Sequence, residues 1–235
     1  MHEATEPKKD LLKAPSLAAL IPPLVVPLIG SLFYFVWLPG NGAGQVGYTL
    51  TKLFTLIYPL CFAGWWHIIR QRPQVSLKPI FLWGIGSGLF ISLAGFALWS
   101  SPLGNIVREN ADSILAKGNQ LGFKEHFFLF AFFICIFHSA LEEFYWRGFV
   151  FGNLRKRLGK VPSHLLAAIG FAAHHFVLTC VYFGPVFALF LSLAVATGGL
   201  IWSILYQKQG SLLGCWISHL LVDAFLMFIT YQLMF

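Results

Sequence analysis

The chain has 235 residues, of which 57% are hydrophobic and only 11% are Asp, Glu, Lys or Arg. Soluble domains carry about 25% charged residues, so this composition excludes a soluble nucleic-acid binder, a disordered chain and a collagen-like one. The formal net charge of +7 is held between long apolar runs, where it speaks of membrane orientation rather than of nucleic acid.

In chain order, Lys8, Lys9 and Lys13 precede a first apolar run. The run is too long for a signal-peptide core and lacks a small-residue cleavage site, so it reads as a retained span. Residues 1–15 then form a cytoplasmic tail and 16–235 a single integral membrane domain. No Asp, Glu, Lys or Arg occurs in 14–51, 53–69, 79–107 or 161–207, and a spanning helix needs about 20 apolar residues. Spans are expected at 16–37, 47–69, 79–100, 123–150, 161–181, 184–206 and 211–233. The fold class is therefore an all-α, multi-pass membrane bundle of about seven helices. Pro22, Pro23 and Pro27 are expected to bend the first span, which membrane helices tolerate. Pro39-Gly40-Asn41-Gly42 divides the first two spans, Gly184-Pro185 divides the fifth and sixth, and 101–124 has room for a short interfacial helix.

Lys8/Lys9/Lys13, Arg70/Arg72/Lys78, Arg155/Lys156/Arg157/Lys160 and Lys208 fall in one set of connections. Arg108, Lys117 and Lys124 fall in the other. The richer set faces the cytoplasm, giving an inside N-terminus, an outside C-terminus and residence in the inner (cytoplasmic) membrane. Cys61, Cys135, Cys180 and Cys215 lie in apolar stretches without a C-x-x-C and read as buried free thiols. Gly84-x-x-x-Gly88 reads as a helix-packing face.

Four strongly ionisable residues lie within expected spans, namely Glu142, Glu143, Arg147 and Asp223, with His138, His174, His175 and His219. Each such charge costs roughly 2.5–3.5 kcal/mol at mid-bilayer, so they must be paired, hydrated or used. Counted from the cytoplasmic helix ends, Glu142, His175, His219 and Asp223 lie about 12–20 Å deep at 1.5 Å per residue. Three helices thus bring polar groups to one level, as a single site within the membrane would require. Glu143 and Arg147 are four apart and can pair, either as a structural lock or as part of a site. Glu142 is turned about 100° away, towards other helices. His138 shares the Glu142 face, and His219 shares that of Asp223. One of His174 and His175 is expected to enter the site, His174 reading as a packed core residue. His67, His126, His138 and His164 read as structural or interfacial.

A buried glutamate beside imidazoles suits general-base activation of water and stabilisation of a tetrahedral oxyanion. No G-x-S-x-G elbow and no H-E-x-x-H occurs, so neither a serine nucleophile nor a zincin helix is indicated. The order Glu142-Glu143-x-x-x-Arg147, Phe171-x-x-x-His175, His219-x-x-x-Asp223 resembles the CPBP family of intramembrane proteases (CAAX-protease and bacteriocin-processing, or Abi, proteins). The motifs cover 142–223, and the first three spans match only by hydropathy. The resemblance implies a glutamate-dependent endopeptidase without a cofactor. Glu142 would be the base assisted by His175, with Glu143 orienting the site and pairing with Arg147. His219 and Asp223 would form the oxyanion hole. The family often has Asn at this last position, and an ionised Asp cannot donate a hydrogen bond. The implied partners are the bilayer and a membrane protein or lipidated peptide substrate, prenylated or not. Three alternatives stand beside this reading: a zinc protease with Glu142, His175, His219 and Asp223 as ligands, a non-enzymatic immunity or chaperone protein, and a proton-coupled transporter.

Overall fold

The computed structural model describes residues 15–62, 73–120 and 122–235. Residues 1–14 of the expected 1–15 tail, the end of the second span and the basic residues Lys8, Lys9, Lys13, Arg70 and Arg72 lie outside this description. Eight helices are described, with no strand among them: α1 Leu17–Trp37, α2 Gly42–Phe62, α3 Leu77–Trp99, α4 Leu103–Glu109, α5 Ala111–Gln120, α6 Phe127–Leu158, α7 Lys160–Gln209 and α8 Leu212–Met234. The fold is an all-helical membrane bundle. Its outer surface is apolar, with Val186 85% and Phe128 75% exposed. Water would penalise so much exposed apolar surface; lipid does not.

Among the described residues, five helices, α1, α3, α6, α7 and α8, are long and apolar enough to cross a membrane, beside the seven spans expected. Two local causes account for the difference. The expected fifth and sixth spans form the single 50-residue α7, interrupted at Gly184 (φ 75°, ψ 166°) before Pro185. Each arm has about two dozen residues, enough for one crossing at 1.5 Å per residue. At the second position, the described part of the expected span stops at Phe62, and α2 carries Gln45, Thr49, Thr51, Lys52 and Thr55, which keeps that part from joining the five. The 101–124 connection holds two short helices, α4 and α5, and the Arg108 guanidinium lies 4.0 Å over the Trp99 ring.

The prolines of α1 do not break it. Each proline lacks the N–H that the carbonyl four residues earlier would accept, so Pro23 leaves Ala19 O free and Pro27 leaves Pro23 O free. Tyr58 of α2 donates to Ala19 O at 2.8 Å, and Tyr145 of α6 donates to Pro23 O at 2.8 Å. The prolines thus create acceptors that tie α1 to its neighbours.

Helix α6 outruns its expected end. Arg155, Lys156 and Arg157 occupy its last turn rather than a loop, favourable next to the negative end of the helix dipole. Gly159 (φ 82°) then turns the chain into α7. Arg157 Nε donates to Pro15 O at 2.9 Å, and Gln74 N to Gln209 O at 2.8 Å, so helix ends carrying basic residues lie side by side. All four cysteines are free, but only Cys215 is buried and Cys61 is exposed. Cys61 itself lies on the outside of the bundle rather than in its core.

Lipid removes most of the hydrophobic drive for helix association, so close approach of small residues has to supply it. Gly84 and Gly88 of α3 provide that approach. A Cβ at Gly84 would lie 2.8 Å from Gly214 O, and one at Gly88 would lie 2.9 Å from Ser218 O, both on α8. Ser87 Oγ donates to Ser218 Oγ at 2.9 Å across the same interface. This seam fixes the rotation of α8, and with it the direction of His219, the next residue after Ser218.

Gly184 sits in a backbone region essentially reserved for glycine. Gly184→Ala is expected to lower stability by about 1–3 kcal/mol, read as a reduced midpoint of thermal unfolding in detergent. An unchanged midpoint would show that the kink is not needed.

Candidate active site

The site is built on α6, which is irregular where it matters. Wide i→i+5 turns run over Ile134–His138 and Phe144–Phe151, flanking the short regular stretch Ser139–Glu143. Such turns are frequent at functional sites. The stretch between them carries both glutamates.

Glu143 is completely buried and Arg147 is 1% exposed. Arg147 Nη1 donates to Glu143 Oε1 at 3.0 Å, and His219 Nδ1 donates to the same oxygen at 2.8 Å. The guanidinium is also held between two rings, with its carbon 4.6 Å from the Phe171 centroid and 4.9 Å from that of Trp202. A Cβ at Gly199 would lie 3.3 Å from Arg147 Nη2, so glycine at this point of α7 makes room for the cation. His219 stacks on Trp202, with centroids 4.1 Å apart and planes 16° apart, while Trp202 Nε1 donates to Ser218 Oγ at 2.9 Å. Arg147, Glu143, His219 and Trp202 thus lock α6, α7 and α8 together.

Glu142 is 8% exposed and meets imidazoles from three helices. His138 Nε2 is 3.6 Å and His174 Nε2 is 3.7 Å from Oε1, and His219 Nε2 is 3.9 Å from Oε2. Glu142 Oε2 is buried without a hydrogen-bond partner among the described residues, as are Glu143 Oε2, His174 Nδ1 and Asp223 Oδ2. Buried polar atoms without partners are rare, and two of these residues, Glu142 and His174, line one cavity, as a place built for water or substrate would require. Asp223 Oδ1 is 3.7 Å from His219 Nε2.

Glu142, Glu143, Arg147, His175, His219 and Asp223 of the expected site are therefore gathered in one region. Two expectations change. His138, expected to be structural, faces Glu142. Both His174 and His175 approach the site rather than one of them. Their rings lie 4.2 Å apart, His174 stacks parallel to Trp146 at 5.7 Å, and His175 Nδ1 is 2.8 Å from Phe171 O. That carbonyl can only accept, so His175 Nδ1 carries the proton and Nε2 is free. His164 pairs with Gln207 at 2.6 Å away from the site, a packing role.

Among the described residues, Glu142, His174 and His175 could hold a metal ion, their ligand atoms all lying within 4.8 Å of one another. This group differs from the expected zinc set. His219 offers Nδ1 to Glu143 and is not in the group, nor is Asp223.

Sequence reasoning missed Lys52. Its Nζ lies 3.5 Å from His138 Nε2, and it lines a cavity of about 240 Å³ shared with Glu142, His138 and His174. The signal was present, since Lys52 is the one charged residue in 14–69. The aromatic partners Trp146, Phe171 and Trp202 carried no comparable signal, because aromatic residues are plentiful along the whole chain.

Removing one partner of a buried ion pair costs about 3–5 kcal/mol. Arg147→Met is expected to lose that much stability, measured by unfolding in detergent, and Glu143→Gln added to it should recover part. A fully stable Arg147→Met protein would mean that the pair does not hold the helices.

No curated protein and no solved structure matches the chain. The family model described as type II CAAX prenyl endopeptidase Rce1-like matches residues 124–225, a stretch that runs from just before α6 into α8 and contains all three motifs. The resemblance read from those motifs is borne out there: over residues 124–225 this multi-pass membrane chain is similar to CAAX-type proteases.

Proposed function

We propose that the protein is an intramembrane endopeptidase that hydrolyses a peptide bond of a membrane-associated protein with water activated by Glu142. The observation that carries this reading is a buried carboxylate met by His138, His174 and His219 from three helices within 3.6–3.9 Å, with one oxygen left without a partner. Similarity to CAAX-type proteases over 124–225 supports the same chemistry and a CAAX-type substrate.

Water bound at Glu142 Oε2 gives its proton to the carboxylate as its oxygen attacks the scissile carbonyl carbon. The carbonyl oxygen becomes an oxyanion, and His219 Nε2, which faces Glu142 Oε2 at 3.9 Å, is the donor position for it. The Nδ1 proton of His219 is committed to Glu143, so donation from Nε2 requires the ring to carry both protons. Glu143, itself held by Arg147, is the fixed partner of such an imidazolium. Asp223 lies on the other side of the ring and orients it, rather than donating to the oxyanion. The proton on Glu142 then passes to the leaving nitrogen as the C–N bond breaks.

The reading includes an inside N-terminus, an outside C-terminus and residence in the cytoplasmic membrane. The Lys and Arg distribution supports it, together with the pairing of helix ends through Arg157–Pro15 and Gln74–Gln209.

Glu142→Gln is expected to fold like wild type and to lose at least about a hundredfold in kcat/KM. The assay uses a prenylated peptide ending in Cys-aliphatic-aliphatic-Xaa, presented in vesicles. Wild-type turnover by this variant would overturn the mechanism. His219→Ala should lower kcat by about 10²–10³ with little change in KM; a change confined to KM would make His219 a substrate contact.

The Glu142, His174 and His175 group favours a second reading, a zinc-dependent hydrolase with three protein ligands. Zinc would supply a bound water acidic enough to deprotonate near neutral pH. Strong chelation separates the two. Loss of activity restored by zinc supports the metal, and activity that survives removes it.

A further inference from the structure

Lys52 and His138 take no step in the mechanism above, yet they stand beside its base. The Lys52 ammonium, half-buried on α2, lies 3.5 Å from His138 Nε2. The same nitrogen lies 3.6 Å from Glu142 Oε1. A cation and an anion thus converge on one ring atom. All three residues line the cavity that His174 also reaches, so the series belongs to the site and not to the lipid-facing surface.

A ring nitrogen carries either a proton or a lone pair, so Nε2 can serve only one of these neighbours. An ammonium only donates, and needs Nε2 bare. A carboxylate only accepts, and needs Nε2 protonated. The Lys52 separation is the shorter, at the outer limit of a hydrogen bond, and the Glu142 separation lies beyond it. Glu142 Oε1 also has a second imidazole at hand, His174 Nε2 at 3.7 Å. The lone pair of His138 Nε2 is therefore assigned to Lys52, and the ring proton to Nδ1.

His138 is also the least confined imidazole around Glu142. Its side chain is 29% exposed, against 12% for His174 and 5% for His219. It closes the wide turn Ile134–His138. Trp146 stacks on His174 and Trp202 on His219, and the contact that holds the His138 ring from across a helix interface is the one with Lys52.

We propose that Lys52 is a positioning residue: it donates to His138 Nε2, keeps the ring proton on Nδ1 and so withholds His138 from Glu142 as a donor. The inference rests on the endopeptidase reading and adds a residue to the machinery of the same site. Without Lys52, the ring is free to move its proton to Nε2 and donate it to Glu142 Oε1. The carboxylate's charge is then drawn towards Oε1 and away from Oε2, where water has to be deprotonated. A cation two groups away thereby keeps the base open for its work.

The test reads the ring first and turnover second. Full-length protein with isotope-labelled histidine is placed in nanodiscs, and the His138 ring signals are assigned by difference from His138→Phe. Nitrogen chemical shifts report which ring atom is protonated. A proton on Nδ1 alone is expected in the wild-type protein and in Lys52→Arg, and a proton on Nε2 in Lys52→Met. A wild-type ring protonated at Nε2, or a ring unchanged in a folded Lys52→Met protein, would overturn the proposal. In cleavage of the prenylated peptide, Lys52→Met should lower kcat about tenfold with KM unchanged, and Lys52→Arg should keep most of the activity. Added to His138→Phe, Lys52→Met should lower kcat no further, because residues that act as a unit are not additive. The same loss in the His138→Phe background, or a loss confined to KM, would show that Lys52 does not act through His138. Thermal unfolding of each variant reports folding, and the wild-type ring decides even if Lys52→Met fails to fold. The expected ring state in a wild-type protein that cleaves no peptide would sink the endopeptidase reading and leave the hydrogen bond standing.

Discussion

The shared oxygen of Glu143 is the junction on which the rest of the structure depends. Arg147 and His219 both donate to it in a volume closed to water. A carboxylate in such a place has to be met by positive charge and hydrogen-bond donors, or it costs more than a small domain's net stability can absorb. That requirement fixes how α6, α7 and α8 sit. Arg147 must lie between Phe171 and Trp202 on the two arms of α7, and α8 must present Nδ1 of His219 rather than its other edge. Gly199 and the Gly84–Gly88 seam provide the space that lets these helices come close enough.

With Glu143 engaged, the adjacent glutamate takes a different part. Glu142 is one residue away, on another face of the helix, and three imidazoles approach it from distances slightly longer than hydrogen bonds. The two acids are chemically alike and separated by environment: Oε1 of Glu143 accepts two short hydrogen bonds, from Arg147 and His219, while the imidazoles come no nearer to Glu142 than 3.6 Å. Short charged bonds suit holding a structure together. An open acceptor facing a cavity suits abstracting a proton from water. The division follows from helical rotation and neighbouring donors, not from any difference between the residues.

Lys52 alters the charge balance of this region. Glu142, Glu143 and Asp223 against Arg147 alone leave two negative charges in excess. Lys52 removes one, and an imidazolium at His219 would remove the other. A balanced interior lowers the cost of keeping so many ionisable groups within a bilayer.

The sequence by itself determined the class, the long apolar helices and the residues that had to find partners. Those properties are set by composition and by spacing along one helix. The Glu143–Arg147 pair is legible because positions four apart meet on any helix. It could not show which groups meet across helices. His174 looked structural because its partner, Glu142, lies on another helix at a distance set by packing, whereas His138 shares the Glu142 face of α6 and was within reach of spacing alone. Lys52 was visible as a lone charge, yet its place beside His138 depends on how α2 leans against α6. The way the fifth and sixth spans join was likewise not legible, since they run on from one another through a bend at Gly184. Side-chain pairing across helices is decided by rotation, crossing and close approach, and those belong to the tertiary structure.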